Sequence, residues 1–300
     1  MRFFRSPRAV PYLLLLPAII VILSVVLVPL LISFWASFTG YVMTKPATLF
    51  QFVGLRNYQR LMTNADFWWA FGRTIIFITI ALNLEMVLGL GLALLVSKIT
   101  YGQRTLRTIM MFPMMFSPIL VGFQWKYLLN DSVGLINNAL FELGLIHEPI
   151  AWLVDSTLAN GSIIFAEMWM STSVFAILLL AGLMALPKEP LEAARVDGCN
   201  PWQVFRHITL PFLNPFIYIA MTIRSLDVAR AYDMVKIMTN GGPAQRTELL
   251  WTLMTRTGYQ NSQMGMANAM GYISIILSIV FTFYFYRKLS AARTFMGGAQ

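Results

Sequence analysis

Ionisable side chains inside apolar stretches come first, because each is costly in hydrocarbon and persists where it does a job. Arg73 and Glu85 share one such stretch, Glu167 lies in another, and Arg224 and Asp227 end a third. Carboxylates accept hydrogen bonds from hydroxyl groups, and arginine offers a planar fork to anionic oxygens. These residue types suit binding a polar solute or pairing with one another. Glu85 has Asn83 beside it in sequence but on a different helical face. Arg73 reads as a long side chain reaching for an interface. Trp169 is either a ring that stacks on a ligand or a lipid-facing or core residue. No catalytic residues are expected. There is no H-E-x-x-H or G-x-S-x-G pattern, and the only histidines are His147 and His207. Cys199 has no second thiol for a disulfide, so it reads as a packing residue, and no metal site is expected. No GxxxxGK[ST] pattern occurs, so the chain is not expected to bind ATP itself.

The elements that hold these residues follow from composition. Hydrophobic residues make up 58% of the 300 and charged residues 12%, and the mean hydropathy is +0.67. A soluble domain carries about 25% charged residues, so polar surface is too scarce for a water-soluble globule. The net charge of +9 comes from short clusters between apolar runs and not from a basic stripe, so nucleic acid is not expected. A helix crosses the bilayer with roughly 20 apolar residues. The predicted spans are Tyr12–Phe38, Phe67–Val96, Ile109–Leu129, Ser162–Leu186, Ile208–Val228 and Met266–Tyr286. The third and fifth are the weakest, interrupted by Pro113, Pro118, Pro211 and Pro215. The first is read as an uncleaved helix, since its apolar run is too long for a signal peptide. Arg2, Arg5, Arg8, Lys98, Arg104, Arg107, Lys188, Arg195, Arg206, Arg287, Lys288 and Arg293 mark one side as cytoplasmic. The connection Asn130–Gly161 on the other side has no Lys or Arg, although Lys45, Arg56, Arg60, Lys236, Arg246 and Arg256 weaken the bias. Both termini are expected in the cytoplasm. The expected organisation is an N-terminal segment 1–11, a transmembrane domain 12–288 and a cytoplasmic tail 289–300.

The connection 187–211 has its own local logic. Pro190 fits a first helical turn, and Ala193 and Ala194 favour helix. Gly198 permits a left-handed stop, and Asn200 with Pro201 starts a second helix. The result is a polar elbow of two short helices, suited to docking into a groove of a partner protein.

Glu192-Ala193-Ala194, Gly198, Ile208 and Leu210-Pro211 resemble, in register, the EAA loop of ABC-importer permeases, EAA–x3–G–x9–I-x-LP. Phe52-Val53-Gly54-Leu55-Arg56-Asn57-Tyr58 is similar to the FVGLxNY segment of carbohydrate-type permeases, and Thr239-Asn240-Gly241-Gly242-Pro243 with Thr247-Glu248 to their TxGGPxxxTE segment. The resemblance covers nearly the whole chain and points to the sugar and polyol branch, similar to maltose-type permeases. It implies an all-α membrane protein of about six transmembrane helices, the type-I ABC importer permease fold, with a cytoplasmic EAA coupling helix. Glu192, Ala193, Ala194, Asp197, Gly198 and Pro201 are then the residues that meet the ATPase.

The same resemblance implies a second homologous permease, two ATPase subunits and an external, periplasmic or extracellular, solute-binding protein as partners. No cofactor is expected on this chain; ATP and Mg belong to the ATPase subunits. The expected location is the bacterial inner membrane. Maltose-type permeases place sugar-contacting polar residues at the positions of Glu167, Ser171, Arg224, Val228 and Ala231. Here Val228 and Ala231 have no side-chain donors or acceptors, and Glu167 and Arg224 are charged where the relatives are neutral. The candidate substrate-binding set is Glu85, Glu167, Trp169, Ser171, Arg224 and Asp227. Two readings stay open: Arg224 binds an anionic group of a sugar derivative, or it pairs with Glu167 beside a neutral ligand. The alternative functions are an importer permease for a non-sugar solute and an ion-coupled secondary transporter. The latter class often shows matched internal repeats, which this sequence lacks.

Overall fold

The computed structural model describes residues 10–99 and 101–297, with side chains described for 13–99 and 101–292. Arg2, Arg5, Arg8 and most of the segment 1–11 lie outside the described residues, as does the side chain of Arg293. In chain order the helices are α1 Val10–Ile22, α2 Val28–Ser37, α3 Arg56–Met62, α4 Ala65–Ser97, α5 Gln103–Met111, α6 Pro118–Leu128 and α7 Leu135–Glu142. They continue as α8 Ser156–Met184, α9 Glu189–Val196, α10 Pro201–Val204, α11 Leu210–Val228, α12 Asp233–Met238, α13 Leu250–Thr255 and α14 Met264–Gly297. Among the described residues the only β pairing is two isolated bridges, Thr39 with Phe52 and Val42 with Lys45. The chain is all-α.

Among the described helices, four stretches are long and apolar enough to cross a membrane: Leu14–Ser37, Ala65–Ser97, Ser156–Met184 and Met264–Ala292. They match the first, second, fourth and sixth predicted spans. The third predicted span, Ile109–Leu129, is not one helix. It divides into α5, a short 3-10 turn at Pro113–Met115 and α6. The cause is local: Ser117 precedes Pro118, which drives it to an extended backbone with ψ of 147°, and its side chain then caps α6 by accepting from the Leu120 amide. The fifth predicted span begins earlier than Ile208, because α10, a π-helical turn at Phe205–Thr209 and α11 run on as one helical rod. A proline ring clashes with the carbonyl four residues back, and the wider π turn relieves that clash. Pro211 follows this π turn, and Pro29 follows the π turn at Leu23–Leu27 that joins α1 to α2. α14 extends past position 288 to Gly297.

The chain divides into two compact units. The first comprises the described residues up to Phe67 together with Leu253–Ile273. Here the Asn57 amide donates to the carbonyls of Ser37 (2.8 Å) and Thr39 (2.9 Å), tying the end of α2 to α3. Tyr58 donates to the Ser37 hydroxyl at 2.9 Å. Gly54 sits at φ +59°, the left-handed region that glycine tolerates. The Phe52–Tyr58 segment is thus a structural clasp.

The second unit comprises Trp68–Thr252 and the described residues from Ser274 onward. Small residues set its helix spacing, as membrane helices require when lipid offers no hydrophobic drive between them. A Cβ at Gly89 would clash with Phe175 Cβ, so α4 and α8 touch backbone to side chain. A Cβ at Gly182 would lie 2.8 Å from Leu213 Cδ2, bringing α8 equally close to α11. Arg73 Nε donates to the Glu248 carbonyl at 3.0 Å. Thr247 Oγ1 donates to the Gly242 carbonyl and meets Thr239 Oγ1, each at 2.7 Å, closing the Thr239–Glu248 loop on itself.

Candidate functional site

Two sites in the second unit carry the sequence candidates. The first is a buried ion cluster. α4 supplies Glu85, α8 supplies Glu167 and Ser171, and α11 supplies Arg224 and Asp227. Arg224 Nε and Nη2 each donate to Glu85, at 3.0 Å, in the bidentate fork that matches guanidinium to carboxylate. Nη2 also donates to Glu167 Oε1 at 2.8 Å, and the Ser171 hydroxyl donates to the same oxygen at 3.4 Å. Glu85 is 0% exposed, Arg224 5% and Glu167 6%. Charges this deeply buried persist only when paired and hydrogen-bonded. Arg224 and Asp227 lie one turn apart on one face of α11, and Arg230, three residues further on, stands in the turn that follows it. Arg224 Nη1 stands 3.7 Å from Asp227 Oδ2, and Arg230 Nη2 donates to Asp227 Oδ1 at 3.1 Å.

Beside this cluster lies a cavity of about 450 Å³. Glu167, Met170, Ser171 and Val174 line it from one face of α8, Arg224 and Asp227 from α11, and Arg230 from the turn just after it. Ala231, Tyr232, Asp233 and Met234 close it from the start of α12, and Met114, Phe116 and Pro118 from the break between α5 and α6. The proline break therefore contributes to the wall. Glu85 stays behind the wall and does not line the cavity. Both guanidinium groups are partly engaged: Arg230 Nε donates to the Leu226 carbonyl at 3.1 Å, while Nη1 of each arginine makes no hydrogen bond among the described residues. The wall therefore offers the carboxylates of Glu167, Asp227 and Asp233 beside these remaining donors.

Of the candidate residues, Glu85, Glu167, Ser171, Arg224 and Asp227 come together. Trp169 does not join them. It is two residues from Glu167, about 200° around the helix, and lines a separate cavity of about 370 Å³ with Leu88, Leu92 and Met110. Its ring meets Trp125 edge-on at 5.9 Å. The sequence reading did not include Arg230 or Asp233, because both lie beyond the apolar runs where charge is conspicuous. Their spacing from Arg224 was the available signal. Among the described residues no cluster of His, Cys, Asp or Glu could hold a metal ion.

The second site is the elbow. α9 ends in a left-handed glycine stop: Gly198 has φ of +74°, its amide donates to the Arg195 carbonyl at 3.2 Å, and the Cys199 amide to the Ala194 carbonyl at 2.9 Å. Asn200 then opens α10 with a reciprocal capping box, its side chain accepting from the Gln203 amide while Gln203 accepts from the Asn200 amide. Pro201 stands at the first helical position. Glu192, Ala193, Asp197, Gly198 and Pro201 are exposed, and Ala194 is buried. Val196 is 88% exposed and Trp202 64%. Exposed apolar groups on a rigid polar elbow are what a docking surface presents.

These features match known proteins. The family model for the binding-protein-dependent transport system inner membrane component matches residues 85–294. The probable ABC transporter permease protein y4oQ of Sinorhizobium fredii is 36% identical over 261 residues, covering 87% of this chain and 84% of that protein. The trehalose/maltose transport system permease protein MalF of Thermococcus litoralis is 33% identical over 274 residues, covering 90% of each. In structure, the chain is similar to a chain of a bacterial ABC transporter involved in the import of the acidic polysaccharide alginate. That match has a TM-score of 0.80, 22% identity and 95% coverage of both chains. The structural likeness shows the type-I importer permease fold. The family is a membrane-integral transport component and not a catalytic subunit. This chain belongs to the family of binding-protein-dependent transport system inner membrane components.

Proposed function

We propose that this chain is a permease subunit of an ATP-driven sugar importer, taking its ligand from an external binding protein and passing it through the cavity beside Arg224. The observation that carries the sugar reading is the polar cavity wall: Glu167, Ser171 and Asp227 face a space of about 450 Å³ together with Arg224 and Arg230, and sugar hydroxyls both donate and accept. The trehalose/maltose name of a relative 33% identical to this chain supports the same class. Arg224 Nε and Nη2 are held by Glu85 and Glu167, and Nη1 stands 3.7 Å from Asp227, so three carboxylates already surround the guanidinium and the paired reading of Arg224 is favoured.

In this reading the chain crosses the bacterial inner membrane six times, with both termini in the cytoplasm. The α5–α6 pair and the α10–α11 rod supply the third and fifth crossings. A second permease, two ATPase subunits and the binding protein complete the transporter, and ATP and Mg are bound by the ATPases. The elbow at Glu192–Pro201 docks on an ATPase subunit, so nucleotide-driven closure there moves α8 and α11, the two helices that flank it and wall the cavity.

The test is uptake of radiolabelled trehalose and maltose by the complete transporter in proteoliposomes. Uptake that needs internal ATP and stops when the ATPase subunits are omitted supports the reading. Uptake that follows an ion gradient without ATPase subunits favours a secondary transporter. Transport of an amino acid or inorganic anion in place of either sugar favours the non-sugar importer.

A further inference from the structure

The cavity wall carries more negative than positive charge. Three carboxylates, Glu167, Asp227 and Asp233, face it against two guanidinium groups, Arg224 and Arg230. Glu85 adds a fourth carboxylate directly behind Arg224. Each guanidinium gives two of its three nitrogens to partners within the chain. Arg224 spends Nε and Nη2 on Glu85 and Glu167, and Arg230 spends Nε and Nη2 on the Leu226 carbonyl and Asp227. Glu167 Oε2 takes no hydrogen bond among the described residues, although the residue is 6% exposed, and Asp233 has no ion-pair partner among them. A carboxylate oxygen this buried and open to a cavity seeks a donor, and excess negative charge in a low-dielectric pocket strengthens its pull on a cation.

We propose that this cavity takes a sugar bearing a protonated amine in preference to its neutral or acidic counterparts, with Glu167 and Asp227 as the residues that set the preference. The proposal rests on the reading of the chain as a sugar permease and deepens it. Glu85 acts as a positioning residue: by holding Arg224 in a fork, it keeps the guanidinium against the wall and leaves the carboxylates to face the ligand. An ammonium group at Glu167 Oε2 and Asp227 would give the open carboxylate oxygen a donor and offset the wall's excess negative charge. A uronic acid or sugar phosphate would meet carboxylates first, and like charges at close range exclude a ligand more strongly than lost contacts do.

The experiment compares one ring in three charge states, with two neutral forms. Radiolabelled glucosamine, N-acetylglucosamine, glucose and glucuronic acid are bound to the full chain in lipid nanodiscs at about pH 6, where an amine is protonated. Glucosamine is expected to bind about tenfold more tightly than glucose, a factor worth about 1.4 kcal/mol. N-acetylglucosamine should fall to the glucose level, and glucuronic acid below it. Asp227→Asn, at a side chain that is 49% exposed, should bring glucosamine to within about twofold of glucose, read as the ratio of the two affinities in the same folded sample. Glu167→Gln should act in the same direction. Equal binding of glucosamine and glucose, tighter binding of glucuronic acid, or an amine advantage that survives both substitutions overturns the proposal. If trehalose enters the complete transporter and the amine confers no advantage, only the charge preference falls. If no probe binds and no sugar is transported, the sugar reading beneath it falls too.

Discussion

The buried cluster and the elbow use the same residue types to opposite ends. In the cluster, Glu85 and Arg224 are 0% and 5% exposed, and each meets the other in a fixed fork. In the elbow, Glu192 and Asp197 stand in the open, and the shape is held by backbone hydrogen bonds around Gly198 and Asn200. A charge in hydrocarbon is bound to its partner within the chain, because the alternative is an unpaired ion without water. A charge on an exposed elbow keeps its freedom and is available to another molecule. The cluster therefore reports on this chain's own stability and cavity, and the elbow, in the proposed reading, on its partners.

The sharpest way to break that contrast is to remove the central cation. Arg224→Leu leaves Glu85 and Glu167 buried without their partner and should destabilise the protein by about 3–5 kcal/mol, read as loss of folded protein on heating in detergent. Glu85→Gln removes the most buried charge yet should cost clearly less, because Glu167 and Arg224 still cancel. Equal losses would mean that geometry, and not charge balance, holds the cluster.

The elbow should respond through its backbone. Gly198→Ala places a side chain at φ +74° and should weaken the turn by about 1–2 kcal/mol. No atom lies within 4 Å of the new Cβ, so the cost comes from the backbone and Gly198→Asn should recover part of it. Hydrogen exchange at the Cys199 amide measures the change.

Asn200→Ala removes the capping box and should cost about 1 kcal/mol, seen as faster exchange of the Gln203 amide with the cluster unaffected.

The smallest expected effect on stability is that of Glu192→Gln, whose melting temperature should match the wild type. Its consequence should fall on coupling instead: ATP hydrolysis by the complete transporter that no longer drives uptake. A drop in melting temperature comparable to that of Arg224→Leu would erase the distinction between the two regions.

Much of the fold was legible because membrane spans and helix caps are local. Ala65–Ser97 and Ser156–Met184 are long apolar runs that need no partner to be recognised. The elbow was legible down to Gly198 and Asn200, since the left-handed stop and the cap depend on residues within one or two turns. The candidate set Glu85, Glu167, Ser171, Arg224 and Asp227 was legible as ionisable or polar residues in apolar surroundings. Trp169 was misleading, because adjacency in sequence is not adjacency on a helix. The third span was legible as interrupted at Pro113 and Pro118, but hydropathy does not give the 3-10 turn and the capped restart at Ser117 that the break takes.

By itself, the sequence determined the class of molecule, its long apolar helices and the local geometry of the elbow. Each of these is decided by solvent preference or by contacts within a few residues. Only the tertiary structure decided that Arg224 is shared between Glu85, 139 positions away, and Glu167, 57 positions away. It also decided that Asp227, Arg230 and Asp233 face one cavity while Trp169 faces another. Long-range pairing depends on how glycine contacts such as Gly89 against Phe175 bring helices together, and no window of neighbouring residues contains that information.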